Sequence, residues 1–194
     1  MCIRDRACSD VNAEFGKSVA DKYGCKFYAD GEEMIASGDI DAVIVTTIDP
    51  YHEQYVMAAI KAGIYVFCEK PLAPEADACK RIVEAEIARG KQLVQVGFMR
   101  RYDKGYRQLK EAIKNRTYGE PLLLHCAHRN PAVDESYDTP MAVENSMIHE
   151  IDVIRWLLDE DYETAEVVFA KDTRRTHAKL RDPQTVSYTH LRAH

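Results

Sequence analysis

Apolar runs and amphipathic stretches alternate along the first half of the chain. Four runs rich in β-branched and aromatic residues are typical of strands: CKFYA, DAVIVTT, YVFCEK and QLVQVGF. The stretches between them show helical periodicity and end at glycine, which indicates helices. One such i, i+4 stripe consists of Val11, Phe15, Val19 and Tyr23. These strand–helix repeats predict parallel strands joined by right-handed crossovers, and therefore a doubly wound α/β sheet.

The pattern changes after Phe98. A helix is predicted over residues 103–115 and another over the run ENSMIHEIDVIRWLLDED, with strands at LLLHCAHRNP and AEVVFAKD. The connections between these elements are longer and less regular than those in the first half. The chain therefore reads as a truncated doubly wound parallel sheet over residues 7–98, followed by the start of an α+β domain over residues 99–185.

Both ends of the chain lack periodicity and capping signals. We interpret MCIRDR (residues 1–6) and the last nine residues (186–194) as translated sequencing adapter, and we leave them out of the fold prediction. Residues 7–185 are then expected to be an internal piece of a longer protein. That piece would lack the first strand, the glycine-rich phosphate loop and part of the second domain's sheet, so we expect it to be inactive by itself.

The composition is that of an ordinary globular protein, with 46% hydrophobic and 30% charged residues. No run of about 18 apolar residues occurs, so the sequence predicts no membrane-spanning segment. A net charge of −6 argues against a nucleic-acid partner. The six cysteines show no Cys-x-x-Cys spacing, which favours reduced thiols in the cytoplasm over a disulfide framework or a metal site.

Polar residues close three of the predicted strands. They are Asp10 in ACSD, Thr46 and Thr47 in DAVIVTT, and Glu69 and Lys70 in YVFCEK. Ligands of doubly wound sheets bind beyond the carboxyl ends of the strands. There, Asp10 would accept hydrogen bonds from ribose hydroxyls and repel a 2′-phosphate, which favours NAD over NADP; alternatively, it caps the next helix. Lys70 is either a surface lysine at the start of a loop or a charge held where ligands bind.

The second half carries polar candidates on a predicted helix. Asn145, His149 and Asp152 are spaced i, i+4 and i+7, so one face of an α-helix would carry all three. Histidine suits the role of a base near neutral pH, although a lone helical histidine is often only a core residue. Further candidates for binding hydroxyl groups, or else simply polar residues at the surface, are Arg100, His128 and Asn130.

Three segments in this order resemble the Gfo/Idh/MocA family of sugar and polyol dehydrogenases. They are TTIDPYH at residues 46–52, EKP at residues 69–71 within AAIKAGIYVFCEKPLA, and HEIDVIRWLL from His149 onward. The run LHCAHRNP resembles the narrower inositol dehydrogenase branch of that family. The resemblance covers nearly all of residues 7–185.

The resemblance implies an NAD-binding Rossmann domain over residues 7–98 and a substrate and oligomerisation domain after it. It also implies NAD-dependent oxidation of a cyclic polyol, with myo-inositol going to its 2-keto product. His149 is similar to the family's base, and Lys70 would lie beside the substrate oxygen, where an ammonium group favours the developing alkoxide. Asn145 stands where inositol dehydrogenases usually carry aspartate; an amide can orient an imidazole but cannot stabilise an imidazolium by charge.

The resemblance further assigns residues to each ligand. Those expected to contact NAD are Asp10, Val11, Thr46, Thr47, His52, Glu69 and Lys70. Those expected to contact a small-molecule polyol are Arg100, His128, Asn130 and Asp152. Those expected to carry catalysis are Lys70, His149 and Asn145, and we expect Lys70 and His149 to converge on one cleft with Asp10 at its far end. The full-length parent is expected to be a cytoplasmic homotetramer with no membrane or nucleic-acid partner.

Two other functions stay open. One is a dehydrogenase of another sugar or sugar derivative. Asn145 is relevant to this alternative, because inositol dehydrogenases usually carry aspartate at its position. The other is a non-catalytic sensor that binds the dinucleotide and a partner protein. Family members of that kind tend to lose the lysine or the histidine, and this chain keeps both Lys70 and His149.

Overall fold

Strands and helices alternate through the first half of the chain, as the hydrophobic pattern predicts. The structure, a computed structural model, describes residues 5–128, 137, 139–169 and 185–190. It divides the chain into two units, Met1–Gly97 and Phe98–His194, within a residue of the predicted boundary. In the first unit the elements are β1 (Ala7–Ser9), α1 (Ala13–Tyr23), β2 (Lys26–Tyr28), α2 (Gly31–Ala36), β3 (Ala42–Val45), α3 (His52–Ala62), β4 (Tyr65–Cys68), α4 (Ala76–Arg89) and β5 (Val94–Val96).

The described strands of the first unit pair only in parallel. β1 pairs with β2, and β4 lies between β3 and β5 in a second ladder. Valines of β3 and β4 pack against α3 and α4 in one core, whose fully buried members include Val56, Cys68 and Ile82. Parallel strands with helical crossovers confirm the predicted doubly wound α/β class.

Helix α1 buries a different face from the one that its apolar stripe predicts. Val11 is fully exposed, and more than half of Phe15 is exposed. The buried residues of α1 are Gly16 and Ala20. The ring of Phe27 lies so close to Gly16 that an added methyl group would overlap it. The predicted helix is confirmed, but its apolar stripe is not its buried face, because close approach to β2 requires small residues rather than large ones.

The second unit is built around one long helical segment. Its elements are α5 (Lys104–Lys114), α6 (Thr139–Met141), a π-helical stretch (Ala142–Met147), α7 (Ile148–Leu158), β6 (Thr164–Phe169) and β7 (Thr185–His190). Val153, Ile154 and Leu157 of α7 form the buried cluster, and side chains of α5 such as Tyr106 and Ile113 pack against it. The apolar period of the sequence places these residues correctly.

One predicted strand of the second unit is absent from the described residues. The run LLLHCAHRNP has no strand pairing within residues 121–128, and Leu122 and Leu123 are 93% and 85% exposed. A strand needs a neighbour for its backbone hydrogen bonds, and no described strand lies beside this run. The prediction of a strand is wrong for residues 122–128; Asn130, which was predicted to share a strand face with His128, lies outside the described residues.

The last described strand falls in the segment that we set aside as adapter-derived. β7 pairs antiparallel with β6, from Thr164 opposite His190 to Phe169 opposite Thr185. Residues 186–194 were left out of the fold prediction, and residues 186–190 lie in this strand. The run TVSYTH contains β-branched and aromatic residues suited to a strand. The adapter origin of the segment stays a prediction.

Candidate functional site

Polar residues follow the carboxyl ends of β1, β3 and β4, as predicted. Asp10 comes directly after β1, Thr46 and Thr47 directly after β3, and Glu69 and Lys70 directly after β4. Because these strands belong to parallel ladders, their ends lie at the edge where doubly wound folds bind ligands.

Asp10 is not the cap of helix α1. The N-cap is Asn12, whose Oδ1 accepts a hydrogen bond from the Phe15 N–H at 3.1 Å. Asp10 Oδ1 instead accepts from the Asn12 N–H at 2.7 Å, which fixes the carboxylate at the strand end. Its Oδ2 atom is then the oxygen to which a ribose hydroxyl would donate, while the side chain of Val11 beside it is fully exposed.

His52, the first residue of α3, connects two of these strand ends. Its side chain is fully buried. Nδ1 lies 2.7 Å from the carbonyl oxygen of Pro71, and Nε2 lies 2.9 Å from that of Thr47. The ring therefore ties the loop after β3 to the loop after β4. This arrangement favours a role in positioning the loops over the predicted direct contact with a cofactor.

The backbone around Lys70 continues the sheet. The Glu69 N–H donates to the Val45 carbonyl at 2.9 Å, and the Lys70–Pro71 peptide bond is cis. The Glu69 side chain is exposed, and its Oε2 accepts from the Lys70 N–H at 3.3 Å. Burial, followed by the charge of Glu69, raises the pKa of the Cys68 thiol to about 12. Lys70 thus directly follows a residue that is hydrogen-bonded to the neighbouring strand.

The second unit concentrates charge on helix α7. His149, Glu150 and Asp152 are all buried there, at 8%, 9% and 7% exposure. The short 3-10 turn Met99–Arg101 supplies two arginines to them. Buried carboxylates are stable only when they are paired, and each of these two has a guanidinium partner.

The two arginines make separate ion pairs. Arg101 binds Asp152 at two points, with Nε 2.9 Å from Oδ2 and Nη2 2.5 Å from Oδ1. This contact raises the pKa of the Arg101 guanidinium. Arg100 Nη2 lies 2.5 Å from Glu150 Oε1, and both side chains are mostly buried. The predicted substrate residues Arg100 and Asp152 are thus held in place by partners on the other element.

His128 joins this cluster from the irregular segment before α6. Its Nδ1 lies 3.2 Å from both carboxylate oxygens of Glu150. Its ring stacks against that of His149, with centroids 6.4 Å apart and an interplanar angle of 21°. Arg100, Glu150 and Cys126 also line a cavity of about 300 Å³. Burial and the nearby Glu150 charge raise the pKa of the Cys126 thiol.

Asn145 does not share a single α-helical face with His149. It lies in the π-helical stretch Ala142–Met147, whereas His149 and Asp152 lie in α7. A π-helix has i→i+5 hydrogen bonds and a wider turn, so the i, i+4 rule of an α-helix does not apply across the junction. That part of the spacing prediction is wrong. The π-helical turn itself is a feature often found at functional sites.

Sequence reasoning missed Glu150 and Arg101, two members of this cluster. The sequence does contain charges that could have indicated these pairs. Two adjacent arginines lie shortly after Phe98, and two acidic residues lie on either side of Ile151 in the helix. The Arg101–Asp152 contact joins residues 51 positions apart along the chain, and the Glu150–His128 contact joins residues 22 positions apart. Helical periodicity does not address such separations. Within the described part of the chain, no group of three His, Cys, Asp or Glu side chains is placed to hold a metal ion. The helices described there are all too short or too polar to cross a membrane.

The parallel strands and their polar ends define the first unit as a dinucleotide-binding domain. Residues 6–98 match the family model of an oxidoreductase family with an NAD-binding Rossmann fold, and residues 106–190 match the GFO/IDH/MocA C-terminal domain. The chain therefore belongs to the Gfo/Idh/MocA family of oxidoreductases, and its first unit is an NAD-binding domain. The resemblance inferred from the sequence is confirmed.

Individual relatives carry the names of inositol dehydrogenases. Inositol 2-dehydrogenase of Agrobacterium fabrum is 57% identical over 93% of this chain and 54% of that protein. Inositol 2-dehydrogenase of Klebsiella pneumoniae strain 342 is 52% identical over 94% of this chain and 55% of that protein. A solved myo-inositol dehydrogenase from Lactobacillus casei, in complex with NAD(H) and myo-inositol, superposes with a TM-score of 0.85 at 35% identity, over 96% of this chain and 56% of that one. The chain thus spans about half the length of these relatives.

Proposed function

We propose that the protein containing this chain is an NAD-dependent dehydrogenase of a cyclic polyol. Its reaction is the oxidation of one secondary alcohol to a ketone, with myo-inositol giving 2-keto-myo-inositol. One observation carries the proposal: three ionisable side chains, His149, Glu150 and Asp152, are buried together on a helix whose other buried residues are apolar. Buried ionisable groups are retained where chemistry or recognition uses them.

The residues at the strand ends fit an NAD cofactor. Asp10 presents a fixed carboxylate at the end of β1, which suits the ribose hydroxyls of NAD and disfavours a 2′-phosphate. The residues that would hold the cofactor are Asp10, Val11, Thr46, Thr47, Glu69 and Lys70, with His52 acting through the loops that it connects. When bound, NAD supplies the acceptor for the hydride that leaves the alcohol carbon.

The chain's own side chains handle the proton and the oxygen. His149 takes the hydroxyl proton on a ring nitrogen as the carbon–oxygen double bond forms. The Lys70 ammonium donates a hydrogen bond to the same oxygen and favours its developing negative charge. The Asn145 amide orients the imidazole or a neighbouring hydroxyl. That Lys70 and His149 act on one alcohol stays a prediction, since they belong to different units.

Recognition of the other ring hydroxyls falls to the charged cluster of the second unit. Arg100 donates hydrogen bonds, the Asp152 carboxylate accepts them, and a neutral His128 ring does both. Asn130 is proposed to join them. Groups that are already held by ion pairs present fixed donors and acceptors, which suits a ring whose hydroxyls have fixed directions.

A second candidate is a dehydrogenase of another sugar or sugar derivative. Asn145 favours it, because an amide cannot support a charged His149 as the usual aspartate does.

We further propose that the full-length protein is a homotetramer located in the cytoplasm. The five described cysteines are free thiols, which supports this compartment. Light scattering of the purified protein tests the assembly, and a monomer would contradict it.

The test is an assay of the full-length protein with NAD and myo-inositol, followed at the absorbance band of NADH. We expect turnover, and a loss of about 10²- to 10⁴-fold in kcat for His149→Asn. The control is Lys114→Gln, an exposed residue of α5 in the same unit that does not line the cavity, which should keep full activity. Turnover only with a different sugar would establish the second candidate. NAD binding without turnover of any polyol or sugar would overturn the enzyme proposal in favour of a sensor.

A further inference from the structure

We propose that Glu150 is a positioning residue for polyol recognition, because it fixes both the ring of His128 and the guanidinium of Arg100. The inference rests on the proposed function and extends it to a residue that neither the spacing pattern nor the family resemblance singled out. Glu150 would not touch the substrate. It would set which atoms of its two partners face the hydroxyl groups.

The geometry places Glu150 at the centre of three separate segments. Its own helix is α7; Arg100 comes from the turn Met99–Arg101, and His128 from the irregular segment 121–128. The Glu150 side chain is 12% exposed, against 16% for Arg100 and 26% for His128. The carboxylate is thus the least exposed member of the three.

The contacts of Glu150 determine what His128 offers. A carboxylate can only accept, so His128 Nδ1, which is 3.2 Å from both of its oxygens, must carry the hydrogen. In the neutral ring, Nε2 is then the hydrogen-bond acceptor, and a substrate hydroxyl can donate to it. Carboxylates that hold the Nδ1–H of a histidine in this way fix both tautomer and ring orientation.

The same carboxylate holds the neighbouring groups. Arg100 Nη2, 2.5 Å from Glu150 Oε1, is kept from turning away, and its remaining N–H groups keep fixed directions. Because the His128 ring stacks on that of His149, a fixed His128 ring also limits where the His149 ring can lie. One buried carboxylate therefore orders two recognition groups and supports the surroundings of the base.

A purely structural ion pair would have different consequences from a positioning residue. Glu150→Gln keeps the shape of the side chain but replaces the carboxylate with a neutral amide. The amide has one acceptor oxygen for His128 and Arg100 instead of two charged ones. If Glu150 is a positioning residue, its substitution should weaken substrate binding more than it affects turnover or NAD binding. We expect Glu150→Gln to raise KM for the polyol about 10- to 100-fold, with kcat and the Kd for NAD changed much less. Glu150→Asp, which keeps the charge, should recover part of the KM.

The decisive experiment is a double-mutant cycle in the full-length protein, with Glu150→Gln and His128→Ala made singly and together. If Glu150 acts through its partners, its effect on kcat/KM is smaller in the His128→Ala background, and the effect that remains is the part exerted through Arg100. Glu111→Gln, an exposed glutamate on α5 of the same unit, is the control and should change nothing. Full additivity, or a fall in thermal stability with unchanged KM in Glu150→Gln, would overturn the proposal.

A second measurement separates this inference from the proposed function. Ring-nitrogen chemical shifts of His128, in the protein labelled with ¹⁵N-histidine, report its tautomer without any turnover. We expect the Nδ1–H form in the wild type and a mixture in Glu150→Gln. If the wild type oxidises no polyol, the proposed function fails while the tautomer still decides the role of Glu150. An unchanged tautomer in Glu150→Gln, or in Glu150→Asp should the first variant not fold, would count against the positioning role.

Discussion

Arg101 and Asp152 form a two-point ion pair that joins the turn after the first unit to helix α7. The Nε–Oδ2 and Nη2–Oδ1 distances are 2.9 and 2.5 Å, and Asp152 is only 7% exposed. A planar guanidinium matches a carboxylate in this geometry, which lysine cannot reproduce. The pair therefore holds one end of the charged cluster in place.

Removing one partner of this pair should destabilise the protein. Asp152→Asn leaves Arg101 without its counter-charge. We expect the free energy of unfolding to fall by about 2–4 kcal/mol, less than the roughly 3–5 kcal/mol of fully buried pairs because Arg101 is partly exposed. The exposed pair of Arg81 and Glu53 is the control. Glu53→Gln should lower the free energy of unfolding much less than Asp152→Asn does, because solvent screens this pair. Denaturant titrations of both variants check this, and equal losses would contradict it.

The second prediction concerns the ring of His52. His52→Leu fills similar space but removes the ring nitrogens that face the carbonyls of Thr47 and Pro71, to one of which a neutral imidazole donates. A carbonyl left without its donor costs about 1–3 kcal/mol, so we expect a loss of about 1–3 kcal/mol in the free energy of unfolding. His125→Leu, at an exposed position, should change stability by less than about 0.5 kcal/mol. A His52→Leu variant as stable as the control would show that the ring does not hold the two loops.

Most strands and helices of the first unit can be predicted from the hydrophobic period of the sequence and from the glycines that end the helices. β3 and α3 are predicted because an apolar run is followed by a helical pattern that stops at Gly63, which adopts a left-handed φ of 78°. The polar strand ends follow as well, since the carboxyl ends of parallel strands share one edge. The buried face of α1 does not follow, because it depends on how closely Gly16 approaches Phe27.

The candidate site of the second unit is less accessible to such reasoning. His149 and Asp152 stand out as polar residues in an apolar helix. Their partners Arg101 and His128 come from distant segments, and nothing in the helix period indicates them. The run at residues 121–128 reads as a strand because it is apolar, but strand formation depends on a neighbour that local sequence does not specify. Pairing across the chain is thus the information that local patterns lack.

The third prediction is a pH dependence that arises from Cys68. Burial raises the pKa of this thiol from 9.0 to about 12 in the folded protein. The folded state therefore favours the neutral thiol, so the stabilisation is fully present below pH 9 and is lost as the pH rises from 9 towards 12. Cys68→Ala should remove this part of the alkaline destabilisation, whereas Cys25→Ala, where the thiol is only half-buried, should keep it. Unfolding titrations at several alkaline pH values check this, and identical slopes for Cys68→Ala and the wild type would contradict it.

The last prediction concerns the choice between NAD and NADP. Asp10→Asn keeps the acceptor for the Asn12 N–H, which lies 2.7 Å from Oδ1, but removes the charge that would repel a 2′-phosphate. In the full-length protein we expect the ratio of kcat/KM for NAD to that for NADP to fall about 10- to 100-fold, the effect of losing one charged hydrogen-bonding group. Asp30 provides a matched control, because it also follows a strand and its Oδ1 accepts from the Glu32 N–H at 2.7 Å. Asp30→Asn should leave the cofactor ratio unchanged. A wild type that prefers NADP, or an equal change of the cofactor ratio in the two variants, would show that Asp10 does not select the cofactor through its ribose.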